Sequence, residues 1–94
     1  MKKYDLQMTT TEVKPITVHV TDLMSGETVE TGTVITHTPP SGDAIEIVST
    51  VSTPYIYALF GPFGVLGEHT VKVQAQGSEG SKPEVIYTIN IKDS

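Results

Sequence analysis

Gly67-Glu68-His69-Thr70-Val71-Lys72-Val73-Gln74-Ala75-Gln76 decides the fold. Val71, Val73 and Ala75 fall on one side of an extended chain; Thr70, Lys72, Gln74 and Gln76 fall on the other. Side chains of a strand project to opposite faces with a period of two, so the stretch predicts a strand with one dry face and one wet face. A loop of turn formers follows, Gly77-Ser78-Glu79-Gly80-Ser81-Lys82-Pro83, and then Glu84-Val85-Ile86-Tyr87-Thr88-Ile89-Asn90-Ile91. Two alternating runs around such a loop predict a C-terminal hairpin.

Upstream, residues 55–60 (Tyr-Ile-Tyr-Ala-Leu-Phe) form the most apolar run, and the sequence alternates little there. A strand covered on both sides, by the core and by a loop or another subunit, is expected. Ser52-Thr53-Pro54 turns the chain, residues 44–51 read as one strand, and Pro39-Pro40-Ser41-Gly42-Asp43 as a surface loop. Residues 28–38 form a long Thr-rich strand in which Val29 and Ile35 share one parity and Val34 has the other. Gly32 lies between them, and a bulge with one extra residue is expected there. Before it come a turn over residues 22–27 and a strand, Ile16-Thr17-Val18-His19-Val20-Thr21, opened by Pro15. Residues 1–14 read as an N-terminal arm or edge strand whose Leu6, Met8 and Val13 would bury against a neighbouring subunit; residues 15–94 read as the domain. Nowhere do apolar residues recur at helical spacing for more than a turn. The expected fold is all-β, an antiparallel sandwich of about seven strands.

Composition narrows the function. Ninety-four residues make one domain. With no cysteine, disulfides, thiolate metal sites and cysteine nucleophiles are excluded. The net charge is −5 and all six basic residues are lysine. Such a surface argues against a nucleic-acid partner, whose phosphates need a basic patch. The N-terminus begins Met-Lys-Lys but lacks an apolar signal core, and no run approaches the ~20 apolar residues of a membrane-spanning helix. The expectation is a complete chain made in the cytoplasm and released by lysis, with no membrane partner.

The opening, Ile16-Thr17-Val18-His19-Val20-Thr21-Asp22 with Ser25-Gly26-Glu27-Thr28-Val29 and Gly32-Thr33-Val34, resembles that of bacterial and phage immunoglobulin-like domains of the Big type. The closing strands, 67–75 and 87–91, resemble the last two of those domains. The likeness spans about two thirds of the chain. It implies an immunoglobulin-like β-sandwich used for adhesion, spacing or decoration, and it implies no catalytic residues. The cysteine pair and core tryptophan of antibody domains are absent.

No motif carries chemistry. His19, His37 and His69 stand at no short metal-ligand spacing and read as exposed strand-face residues. The eleven carboxylates are dispersed, and Asp22 with Glu27 lacks the pattern of a calcium loop. Neither a cofactor nor a metal is expected, and the chain does not read as an enzyme. Partner contact falls to two groups. Phe63, Val65 and Leu66 sit in a Gly/Pro loop that is too apolar for an ordinary surface loop and either folds back as a lid on the core or offers a contact patch. Tyr55 and Tyr57 share one strand face, either packed in the core with their hydroxyls at the rim or exposed as a platform. The expected function is a phage virion structural or capsid-decoration protein acting by protein contact with a shell or with itself as a homo-oligomer. The alternative is an adhesion or carbohydrate-binding module of a bacterial surface protein, with Tyr55 and Tyr57 as a glycan platform.

Overall fold

The computed structural model describes residues 2–20 and 26–93. Eight strands run in chain order: β1 (Lys2–Thr9), β2 (Lys14–His19), β3 (Val29–Thr38), β4 (Ile45–Ile47), β5 (Ser49–Ser52), β6 (Tyr55–Phe60), β7 (Gly67–Gly77) and β8 (Glu84–Lys92). No helix occurs among the described residues. One sheet has the order β1-β8-β7-β3-β4 and the other β2-β6-β5. The two pack face to face in a β-sandwich-like body of 44 × 21 × 20 Å.

The C-terminal hairpin forms as its alternation requires. β7 and β8 pair from Gly67 opposite Ile91 to Gln74 opposite Glu84. The odd-numbered residues of both strands point inward: Val71, Val73, Ala75, Val85, Tyr87, Ile89 and Ile91 are all buried. From the smaller sheet, Val18, Ile56 and Phe60 meet them, and the Phe60 ring stands edge-on to Tyr87 at 5.3 Å. Each large apolar side chain so buried contributes about 1.5–3 kcal/mol. This interior holds the chain together without a disulfide.

Four expectations change. First, Met8, on the edge strand β1, is buried in the chain's own core rather than on a neighbouring subunit. β1 runs parallel to β8, from Lys2 beside Val85 to Thr9 beside Lys92, so the pairing is not antiparallel throughout. Second, residues 44–51 are not one strand. β4 pairs with β3 in the large sheet and β5 with β6 in the small one. The chain crosses between sheets at Val48, which is 90% exposed.

Third, the β3–β7 register shifts between Glu30 and Val34, around Gly32 as expected, but by two residues rather than one. Glu30 faces Gln76 and Val34 faces Gln74. A surplus of two preserves parity, so Val29 and Ile35 both point inward and Val34 points out. The Thr33 hydroxyl fills the interrupted ladder, donating to the Glu30 carbonyl at 3.0 Å and accepting the Gln76 N–H at 3.2 Å. Fourth, burial along β6 alternates cleanly although its sequence does not: Ile56, Ala58 and Phe60 turn inward and Tyr55, Tyr57 and Leu59 outward. The predicted turn at 22–27 lies mostly outside the described residues.

Candidate functional site

The outer face of the small sheet is built from three strands in register. β2 sets Thr17 opposite Tyr57 and His19 opposite Tyr55; β5 sets Thr50 opposite Tyr57 and Ser52 opposite Tyr55. The face therefore carries two cross-strand rows, His19–Tyr55–Ser52 and Thr17–Tyr57–Thr50, with Pro15 and Leu59 as a third pair. Tyr55 is 39% exposed, Tyr57 42% and Leu59 61%. No Asp, Glu, Lys or Arg stands among these positions. The Tyr55 ring lies 5.0 Å from His19 and 6.2 Å from Tyr57, at tilts near 30° in both cases. A groove of about 490 Å³ crosses these strands, lined by Pro15, Thr17, Val48, Thr50, Tyr57 and Leu59 among others.

The edge of this sheet is guarded. Val20 N–H donates to the Pro54 carbonyl at 2.9 Å, so the even-numbered residues of β2 turn their backbone groups toward β6. The odd-numbered ones turn theirs to the free edge. Pro15, at an odd position, leaves that edge one N–H short, a device that discourages further strand pairing.

The second candidate group splits. Val65 and Leu66 are exposed, whereas Phe63 is half-buried and packs on the core. The loop of residues 61–66 is tied down at several points. Gly64 N–H donates to the Thr10 carbonyl at 3.2 Å. Gly61, at φ 96°, lies so close to the Glu12 carbonyl that a Cβ would collide with it. Phe63 stacks on His37 at 4.2 Å and on His69 at 5.4 Å.

Both of those histidines were expected on the surface, and both are buried, His37 at 8% exposure and His69 at 0%. His37 Nε2 and His69 Nδ1 lie 2.7 Å apart, and His69 Nε2 is 2.7 Å from the Val65 carbonyl. Burial first, and the neighbouring His69 second, hold the His37 imidazole below its ordinary range. Burial also pushes the Tyr87 phenol up, assisted by Tyr4, whose ring stacks on it at 5.3 Å. Glu27 was missed as well. Its carboxylate is buried and accepts the N–H groups of Glu79 at 2.8 Å and Ser81 at 3.1 Å, so it closes the β7–β8 loop. Among the described residues, no three His, Cys, Asp or Glu side chains converge as a metal site would require. No protein-family model, no curated protein and no solved structure matches the chain.

Proposed function

We propose that the chain is an immunoglobulin-like β-sandwich that works without catalysis, by protein contact, as a structural or decoration component of a phage virion. The strand order supports the fold. If β2 to β8 are taken in turn as strands B, C, C′, D, E, F and G, one sheet is G-F-C-C′ and the other B-E-D, the arrangement of a variable-type domain without its C″ strand. β1 then lies beside G.

The observation that carries the function is the uncharged, aromatic outer face of the small sheet. Tyrosine supplies large contact area at low entropic cost, and a depletion of charge marks the centre of an interface rather than open surface. We place the contact on Tyr55, Tyr57 and Leu59, with the exposed Val65 and Leu66 as a second patch. The partner is a shell protein or a second copy of the chain. The test is fractionation of the source culture followed by mass spectrometry. Peptides of this chain should sediment with capsid protein, and the Tyr55→Ser/Tyr57→Ser double variant should leave the particle fraction. A chain that remains a monodisperse monomer in the soluble fraction overturns the proposal.

One observation favours the glycan alternative: the tyrosines are flanked by the hydroxyls of Thr17, Thr50 and Ser52, groups that hydrogen-bond sugars. Saturable binding on a glycan array, abolished in the same double variant, would select that reading and a cell-surface location.

A further inference from the structure

We infer that the His37–His69 pair is an acid-labile clasp that holds the loop of residues 61–66 shut at neutral pH and releases it on acidification. The hydrogen bonds run in one direction. The Val65 carbonyl can only accept, so His69 Nε2 carries a proton and donates to it. In the neutral ring His69 Nδ1 is then a bare acceptor, and His37 donates to it from Nε2. Every buried side-chain nitrogen and oxygen among the described residues has a partner, so His37 Nδ1, which has none, meets solvent and is where the next proton enters. That proton places a cation beneath the Phe63 ring at the apolar end of the core. A second proton must go to His69 Nδ1. It sets N–H against N–H across 2.7 Å, and the pair has to part.

Among the described residues, nothing around the pair offers a compensating negative charge. Val71 on β7 and Ile45 on β4 stand opposite His37, and Ile89 on β8 stands opposite His69. The interior positions offered by β1, β2 and β6 are Leu6, Met8, Ile16, Val18, Ile56, Ala58 and Phe60, none titratable. Glu46, Glu68 and Lys72 have the opposite parity and lie on the outer face. In the turn after β1, Glu12 accepts the Thr9 N–H and pairs with Lys14 at 3.8 Å. The sign follows from linkage. The folded His37 binds its proton less readily than the unfolded chain, whose value is near 6.5. The folding free energy that depends on a neutral His37 is complete above that pH and is lost as pH falls below it toward the folded value, while the clasp itself parts at the second proton, on His69.

Nuclear magnetic resonance tests the clasp. Near pH 7 both imidazoles should be Nε2–H tautomers. The protection factor of Gly64 N–H should fall about tenfold or more between about pH 7 and about pH 4.5, while that of Val73 N–H, in the core strand, holds. His37→Gln donates its amide N–H to a neutral His69 and can turn its amide oxygen to accept from a protonated one, so it should abolish the acid response. If that variant fails to fold, the tautomers of the unaltered protein still decide, because His69 as an Nδ1–H tautomer overturns the proposal. So does Gly64 protection that ignores pH, or an acid response retained in His37→Gln.

Discussion

β7 and β6 occupy equivalent places, each the central strand of its sheet, and differ on one face only. β7 buries His69, Val71, Val73 and Ala75 and turns Thr70, Lys72, Gln74 and Gln76 outward. β6 buries Ile56, Ala58 and Phe60 and turns Tyr55, Tyr57 and Leu59 outward. The interior makes the same demand on both strands. The exterior makes none that β7 fails to meet with polar side chains, so a central strand of this fold folds with a wet outer face. The apolar outer face of β6 is therefore in excess of what folding requires. On the proposed function that surplus is the contact surface, since exposed apolar patches mark interaction sites.

The largest effect comes from breaking what the two strands share. Phe60→Ala removes a wholly buried ring from β6 and should cost about 3–5 kcal/mol. A domain of this size has roughly 5–15 kcal/mol in all. Ile89→Ala, in the strand paired with β7, should fall at about 2–5 kcal/mol. Urea unfolding measures both, and a loss below about 1 kcal/mol for Phe60→Ala would show that the small sheet does not share the core.

Parity made most of this legible in advance. Val71, Val73, Ile89 and Ile91 announce a dry face from the chain alone, and Pro39-Pro40, Thr53-Pro54 and Ser78 to Pro83 all fall between strands as turn chemistry requires. The failures have physical causes. Sequence shows residues 44–51 as one run because nothing local records that the chain changes sheets at Val48. The shift near Gly32 was visible, but its size was not, since a Thr33 hydroxyl that replaces ladder bonds is a tertiary fact. The buried histidines were within reach. His69 has the parity of Val71 and His37 that of Ile35, and following the alternation through them, rather than setting polar residues aside, places both inside. Phe63 in an apolar loop was the second hint, because such a ring needs something to stack on.

A smaller loss is expected at the end of the large sheet. Glu27→Ala leaves the Glu79 and Ser81 N–H groups without their carboxylate and should cost about 1–3 kcal/mol. The fraying should be confined to the β7–β8 loop, read as lost amide protection at Ser81 while Val85 stays protected. Uniform loss across β6 as well would mean that the two sheets do not differ in how they are tied.

The smallest effect on stability is the most telling. Tyr55→Thr with Tyr57→Thr replaces the two rings with β-branched side chains that suit an exposed strand face and should change stability by only about 1 kcal/mol, since cross-strand pairs contribute about 0.2–1 kcal/mol each and threonine keeps part of each of the four pairs. If the proposed function holds, the same change should abolish particle association. The reciprocal change, Lys72→Tyr with Gln74→Tyr, gives β7 the outer face of β6 and forgoes only the Lys72–Glu84 ion pair, a partly exposed contact at 3.6 Å of little worth. It too should leave stability nearly unchanged, but it should add self-association measurable by sedimentation. Suppose instead that the tyrosine variant unfolds and the β7 variant does not. The aromatic rows are then structural braces for a sheet of short strands, and the face of β6 is paid for by folding after all.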